Sequence, residues 1–131
     1  MGHSTAKEVE HIQRMAKGIR KRVLAHTLNN NGGYMSQACS SAELLSCLYG
    51  GLLNFAELPE PIAPPAFSGV PTVGGGVVTS GSVFHGEKAP DRDRLISSPA
   101  HYALVIYAAL IEAGRLEESA LEHFNKDGST V

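Results

Sequence analysis

The stretch from Asp91 to Gly114, DRDRLISSPAHYALVIYAALIEAG, constrains the fold more than any other part of the chain. Leu95 and Ile96 form a brief apolar run that predicts a short strand. Ser98 and Pro99 then have the pattern of a helix N-cap followed by proline at the first helical position. Apolar residues recur at helical spacing up to the final glycine, a residue that often ends helices. The stretch therefore predicts a strand, a tight turn and an apolar helix.

One histidine, His101, lies in the first turn of this predicted helix. The unpaired backbone N–H groups of a first turn, together with the positive end of the helix dipole, suit an anion and above all a phosphate. The position permits such a contact but does not require it. A single histidine near a helix start is more often a surface residue or a hydrogen-bonded core residue.

The size and composition narrow the possible functions. A chain of 131 residues fits one domain and is short for a complete two-substrate enzyme. The net charge of −2 gives no reason to expect a nucleic-acid partner. Cys39 and Cys47 lie on one predicted helix, and we expect them to be reduced core thiols. No apolar run could span a bilayer and the N-terminus is charged, so we expect a soluble cytoplasmic protein with no membrane partner.

A long amphipathic helix is predicted from Thr5 to about Leu28. Thr5 and Glu8 have the spacing of a capping box. Apolar residues follow at three- and four-residue steps: Val9, Ile12, Ala16, Ile19 and Val23. A basic cluster falls mostly on the other faces: Lys17, Arg20, Lys21 and Arg22. Since no aromatic residue is interleaved with the cluster, a solvated helix surface explains it better than a phosphate or nucleic-acid site.

A second helix is predicted from Ser36 or Ser40 to Tyr49, between the run NNNGG and a pair of glycines. Its predicted core face consists of Ala42, Leu44, Leu45, Leu48 and Tyr49. A short helix is predicted near the end of the chain, from Leu116 to Asn125. Its inward residues are Leu116, Ala120, Leu121 and Phe124. These helices need a further layer to cover their apolar faces, either a sheet or another subunit.

Residues 56–90 are rich in proline and glycine and show almost no helical period. The piece from Val73 to Val83, VGGGVVTSGSV, lacks the lysine of a P-loop and the G-x-G-x-x-G spacing, so a flexible excursion or small hairpin is predicted. His85 follows it and is expected to be an exposed loop residue. Because long loops in compact domains are often functional, we expect this one near an interface or the mouth of a site.

Two segments resemble the start of transketolases: IRKRVLAHTLNNNGGYMSQACSSAELLSCLYGGLLN and DRDRLISSPAHYALVIYAALIEAGRL. The similarity covers about residues 12–131, with the Pro/Gly-rich stretch as a variable insert. It is greatest to the bacterial split form, in which the N-terminal subunit is a separate polypeptide. The most specific part is the string D-R-D-R-hydrophobic-hydrophobic-x-S-x-x-H. In the family this string is the first strand of the thiamine-diphosphate-binding domain, and its histidine, here His101, touches the diphosphate.

The resemblance implies an α/β fold with a parallel sheet flanked by helices. It further implies that residues 1–131 form an incomplete diphosphate-binding domain of this fold, mostly helical in this fragment. It implies transfer of a two-carbon ketol unit between sugars or sugar phosphates with thiamine diphosphate and Mg²⁺ or Ca²⁺. His101 and Ser98 are the implied cofactor contacts. The implied partners are the remainder of this domain and a pyrimidine-binding domain or C-terminal subunit, in a homodimer or heterotetramer.

Two departures from the family pattern bear on the activity. Transketolases have a Ser-Gly-His-Pro-Gly run before the second helix, whose histidine faces the reacting carbons of the sugar. Tyr34 occupies that position here. A phenol with an unperturbed pKa of about 10 is a poor base at neutral pH, so the tyrosine counts against ordinary ketol transfer and in favour of a different acceptor or a sister reaction within the family. The alternative is that Tyr34 is a packing residue under the loop.

The second departure is that the family's metal motif, Gly-Asp-Gly followed by an asparagine, is absent from this sequence. Metal ligands are therefore expected outside the chain, because a divalent cation on a diphosphate needs such oxygen ligands. The acid that activates the cofactor's pyrimidine is missing too, so the chain alone is expected to be inactive. The alternatives are another thiamine-diphosphate enzyme, such as a deoxyxylulose-phosphate synthase or a 2-oxoacid dehydrogenase component, and a non-catalytic assembly module.

Overall fold

A computed structural model describes residues 5–67 and 81–131 of the protein. Three α-helices form its frame: α1 (Ala6–Asn29), α2 (Met35–Cys47) and α3 (Ala103–Glu112). The three helices pack against one another around a shared apolar core. The mostly helical character expected of this fragment is confirmed. Most of the predicted glycine-rich excursion, residues 73–80, lies outside the described residues.

Helix α1 begins with the predicted capping box. The backbone N–H of Glu8 donates to Thr5 Oγ1, and the Glu8 carboxylate accepts from the backbone N–H of Thr5. Two of the N–H groups that a helix start leaves unpaired are satisfied in this way. The buried face of the helix consists of Met15, Ala16, Ile19 and Val23. The predicted apolar stripe is therefore correct in its central part, whereas Val9, near the helix start, is 43% exposed.

The basic cluster of α1 divides into two pairs. Lys17 and Lys21 are exposed, as a solvated surface requires. The two arginines instead join helices: Arg20 donates to the Glu43 carboxylate of α2, and Arg22 donates to Glu112 of α3 and to Glu118. The carboxylate of Glu112 is partly buried, so its attraction to Arg22 is screened less by water and salt than that of an exposed ion pair. The interpretation as a purely solvated surface is therefore wrong for both arginines.

Helix α2 differs from its prediction in three respects. Leu44 is 61% exposed, so it does not belong to the core face, which consists of Ala38, Ala42 and Leu45 with the small polar residues between them. Cys39 is exposed and Cys47 half-buried, so the expectation of two core thiols is wrong, although both are free. The helix also continues past the first glycine as a π-helical turn, Leu48–Leu52.

The described residues contain no β-strand. Their one backbone bridge joins Ile62 to Leu116 in parallel. The predicted strand at Leu95 and Ile96 is not formed, because a strand requires a hydrogen-bonded neighbour and none of the described segments pairs with these two residues. The parallel sheet of the family therefore stays a prediction for this chain.

Helix α3 lies at the centre of the core. Its buried residues are Leu104, Val105, Ala108, Ala109, Leu110 and Ile111. It ends as predicted at Gly114, whose φ of +68° is a left-handed angle that glycine adopts without strain. The following segment forms a short 3₁₀ helix, Glu118–Glu122, in place of the predicted Leu116–Asn125 helix. None of the helices described for this chain has both the length and the apolar character needed to cross a membrane.

Candidate functional site

His101 lies at the amino end of α3, in a 3₁₀ turn (Ala100–Tyr102) that leads directly into the helix. Its ring is exposed to solvent and tilted against the ring of Tyr102, with 5.0 Å between the centroids. The backbone N–H groups of Ala100 and His101 make no hydrogen bond within the described residues. The start of α3 therefore presents an accessible imidazole next to two free donors.

Ser98 does not cap this helix. The residue before the 3₁₀ turn is Pro99, with extended backbone angles, and no side chain accepts a hydrogen bond from the turn. The prediction that Ser98 is the N-cap is therefore wrong. The additional 3₁₀ turn is the physical reason, since it places Ser98 too far from the first α-helical N–H groups. The Ser98 side chain is exposed and makes no hydrogen bond within the described residues.

Tyr34 occupies the N-cap position of α2 and is 39% exposed. It lines a hollow of about 450 Å³ between the end of α1 and the C-terminal segment. His26, Asn30, Phe124 and Lys126 are among the other lining residues. Neither His101 nor Ser98 is among them, so Tyr34 does not share this hollow with the other two predicted site residues in the described part of the chain.

A larger cleft of about 780 Å³ lies beside α3. We call it the α3 cleft. Its apolar lining consists of Val83, Leu95, Ile96, Ile106, Tyr107 and Leu110, together with small residues. Its polar lining consists of Tyr49, Ser82, His85, Lys88, Arg94 and Ser97. A volume of this size with a few polar groups is typical of a binding site. The cleft reaches Pro99 and Ala100, which adjoin His101.

His85 is buried at the wall of the α3 cleft, so the expectation of an exposed loop residue is wrong. Only 6% of the residue is exposed. It closes a short 3₁₀ helix, Gly81–His85, and its ring stacks on Phe55 with 4.9 Å between centroids. Its Nε2 lies 3.3 Å from Tyr49 Oη, and its Nδ1 has no partner among the described residues. The sequence signal was Phe84 directly before it, a large apolar residue within the Pro/Gly-rich insert.

The surroundings of His85 favour its neutral form. Burial, followed by the positive charges of Arg94 and Arg115, lowers the pKa of His85 to about 4. Burial likewise raises the pKa of Tyr49 to about 12, against the smaller opposite effect of Arg115. At neutral pH the pair therefore consists of an uncharged imidazole and an uncharged phenol, and the nearby positive charge belongs to the arginines.

Two arginines hold the end of the insert against the core. Arg94 donates to the carbonyl oxygens of Ser82 and Gly86 at 2.8 and 2.9 Å. Arg115 donates to those of Phe84 and Ala56 at 2.6 and 2.7 Å, and its guanidinium lies 4.9 Å from the centre of the Phe55 ring. Because these are charge-assisted bonds to backbone, they determine where residues 81–86 lie.

Within residues 5–67 and 81–131, no group of three or more His, Cys, Asp or Glu side chains is placed to hold a metal ion. The candidate site that the described residues do form consists of the exposed start of α3 with His101 and, next to it, the α3 cleft. Of the three site residues that the sequence predicts, His101 and Ser98 lie at this position and Tyr34 lies at the second hollow.

Comparison with known proteins gives two weak relationships. The chain is 26% identical over 116 residues to a transketolase-like protein 2 of Bos taurus, and 26% identical over 121 residues to a transketolase-like protein 2 of Homo sapiens. These alignments cover 88% and 92% of this chain but only 14% and 15% of the relatives, so the chain spans about a seventh of their length. No family model and no solved structure matches. The chain is thus distantly similar to transketolase-like proteins.

Proposed function

We propose that this chain is the N-terminal part of a transketolase-like, thiamine-diphosphate-dependent transferase and that His101 contacts the diphosphate. The observation that carries the proposal is the exposed imidazole at the open start of α3, in a chain similar over most of its length to transketolase-like proteins. A buried ring at this position would have excluded the role.

The residues at the start of α3 fit a diphosphate. The free N–H groups of Ala100 and His101 can donate to phosphate oxygens, and the positive end of the α3 dipole favours a negative charge. The His101 imidazole adds a donor, and the exposed Ser98 hydroxyl is proposed as a further contact. When bound, thiamine diphosphate supplies the carbon–carbon bond chemistry. The share of this chain is to bind and orient.

The proposal extends to the parts that complete the site. We propose that residues 1–131 are an incomplete diphosphate-binding domain, whose parallel sheet and Mg²⁺ or Ca²⁺ ligands are supplied by other residues of the domain. A pyrimidine-binding domain or C-terminal subunit contributes the remainder of the cofactor site. The assembly is a homodimer or a heterotetramer. The substrate class is a sugar or sugar phosphate. The ion pairs that join α1 to α2 and α3 support a rigid frame onto which such parts can dock.

His101→Ala is expected to weaken binding of thiamine diphosphate in the complete assembly by about 1–3 kcal/mol, since a hydrogen bond to a charged group is lost. Isothermal titration with thiamine diphosphate and Mg²⁺ measures the change in Kd. His123→Ala is the matched control, because His123 is also exposed but does not line the α3 cleft next to His101. Equal Kd values for the two variants would remove His101 from the site.

Tyr34→His is expected to raise kcat for common ketose phosphates in the complete assembly, because an imidazole can transfer a proton at neutral pH and a phenol cannot do so readily. The measurement is steady-state turnover with and without the substitution. Unchanged kcat, with unchanged stability, would leave Tyr34 with only a packing role at the start of α2.

The same Tyr34 supports a second candidate function. A transketolase-like chain without the substrate-facing histidine fits another thiamine-diphosphate enzyme, of the deoxyxylulose-phosphate synthase or 2-oxoacid dehydrogenase type, or a non-catalytic assembly module. Binding assays separate these candidates. Cofactor binding without turnover of any ketose phosphate would favour another enzyme of the class, and absence of cofactor binding in the complete assembly would favour the module.

A further inference from the structure

The hollow that Tyr34 lines also contains an imidazole. We call it the Tyr34 hollow. His26, in the last turn of α1, lines it together with Asn30 and Phe124. The side chain of His26 is half-buried, and Tyr34 reaches the same hollow from the start of α2. An imidazole and a phenol from two helices therefore line one hollow of about 450 Å³.

Two contacts hold the His26 ring in place. The ring of Phe124 meets it edge to face, with 5.4 Å between the centroids and 84° between the planes. Phe124 itself packs against the ring of Tyr107 of α3, with 5.9 Å between the centroids. The amide nitrogen of Asn30 lies 3.4 Å from His26 Nδ1. The imidazole is therefore positioned by one aromatic contact and one polar contact.

The amide of Asn30 indicates which ring nitrogen of His26 carries the proton. Its Nδ2 also donates to the backbone carbonyl oxygen of His26 at 2.9 Å, which fixes the orientation of the amide. A nitrogen donor next to Nδ1 favours the neutral imidazole that has its proton on Nε2, and we assign the proton on that ground. Nε2 makes no hydrogen bond within residues 5–67 and 81–131. His26 therefore has an N–H donor that the described part of the chain does not use.

The other polar groups of the Tyr34 hollow suit a sugar. Asn30 and Asn125 each provide an amide that both donates and accepts, and Tyr34 provides a phenol. Among the described residues, no aspartate or glutamate lines the hollow, and Lys126, its charged lining residue, is exposed. Mixed donors and acceptors beside aromatic rings fit the hydroxyl and carbonyl oxygens of a sugar better than they fit an apolar molecule.

We infer that His26 is a substrate-binding residue, which donates a hydrogen bond from Nε2 to an oxygen of a sugar held in the Tyr34 hollow. The inference rests on the proposed function for the class of substrate, and it supplies an imidazole to a hollow in which position 34 carries a phenol. His26 keeps its proton throughout. Its share is to bind the sugar oxygen and, where that oxygen is a carbonyl, to polarise it. Phe124 and Asn30 are positioning residues, since they act through the ring of His26.

The first test is NMR of the imidazole nitrogens in the protein with labelled histidine. At a pH of about 8, above the ordinary imidazole pKa of about 6.5, the spectrum is expected to show the proton of His26 on Nε2. Fructose 6-phosphate is expected to shift the Nε2 signal of His26. The signals of His11 are expected to stay unchanged, because His11 is exposed on the same helix about 22 Å away and does not line the hollow. An equal shift with inorganic phosphate would overturn the inference, because the hollow would then bind an anion and not a sugar oxygen.

The second test separates the N–H donor of His26 from the packing of its ring. His26→Phe keeps a ring that can pack against Phe124 but has no donor, and it is expected to lower kcat/KM for fructose 6-phosphate in the complete assembly at least about tenfold. His26→Gln has an amide nitrogen that can take the place of Nε2, so it is expected to lose less. His11→Phe is the matched control and is expected to leave kcat/KM unchanged.

The outcomes distinguish this inference from the proposed function. Equal kcat/KM values for His26→Phe and His11→Phe would overturn the inference, and so would equal losses in His26→Phe and His26→Gln, because the donor would then have no role. The Kd for thiamine diphosphate is expected to be the same in all three variants, since His101 does not line the Tyr34 hollow. An unmodified assembly that does not bind thiamine diphosphate contradicts the proposed function. One that binds the cofactor, but whose His26 signal does not respond to fructose 6-phosphate, contradicts this inference alone.

Discussion

Lowering the pH from 7 to 4 is expected to remove about 3 kcal/mol from the free energy of unfolding through His85 alone. The imidazole has a pKa of about 4 in the folded protein and an ordinary value of 6.5 when unfolded. Between these values the unfolded state binds a proton that the folded state does not. The contribution of His85 is therefore complete above pH 6.5, falls as the pH falls toward 4, and is lost below that.

Urea unfolding at a series of pH values between 7.5 and 4 measures this effect. Carboxylates also titrate in the range, so the informative quantity is the difference between the protein and a variant without the imidazole. His85→Phe keeps a ring that can stack on Phe55, and His85→Gln keeps a partner for Tyr49 if the first variant does not fold. Either variant is expected to show a weaker pH dependence.

The control for this experiment is His123→Gln, which removes an exposed histidine. It is expected to keep the full pH dependence of the unmodified protein. If the His85 variants and the His123 variant lose stability in parallel as the pH falls, the ring of His85 is not buried as a neutral group, and its stacked position against Phe55 is wrong.

Arg115→Leu is expected to destabilise the protein by roughly 3 kcal/mol, since hydrogen bonds to charged groups contribute about 1.5–3 kcal/mol each and a cation–π contact adds to them. The substitution leaves the carbonyls of Phe84 and Ala56 without their donor and uncovers the Phe55 ring. Thermal and urea unfolding measure the loss. Faster proteolysis within the insert is expected as well, because residues 81–86 lose one of their two anchors.

Arg14→Leu is the matched control for that substitution. Arg14 is exposed, and its one described side-chain contact is a 3.4 Å approach to His11 in the same helix. Its loss is expected to change the free energy of unfolding by no more than about 0.5 kcal/mol. Equal effects of the two substitutions would mean that the hydrogen bonds from Arg115 to the insert do not stabilise the folded protein.

The sequence predicts the parts of this fold that depend on near neighbours. Thr5 and Glu8 are three residues apart, and their reciprocal bonds form at the start of α1 as the spacing indicates. The apolar period of α3 and the glycine that ends it are likewise properties of one short segment. For the site, the same local argument places His101 at a helix start, where the structure has it with an exposed ring, while its contact with a diphosphate stays a prediction.

The errors concern residues whose environment is formed by distant segments. Leu44 has the spacing of a core residue, yet among the described residues it is left 61% exposed. The pattern of its own helix predicts that Arg22 is solvated, but its guanidinium donates a hydrogen bond to Glu112, which lies much later in the sequence. Ser98 has the pattern of an N-cap, and one extra 3₁₀ turn is enough to remove that role.

The amino-acid sequence by itself determined that the three helices form, how the first begins, and which glycine follows the third, because these depend on bonds and apolar contacts within a few turns of backbone. Only the tertiary structure decided that His85 is buried, that Arg94 and Arg115 hold the insert, and that Leu95–Ser98 keeps its backbone groups free beside a cleft. Those features depend on which distant segments meet, and no local pattern of residues specifies that.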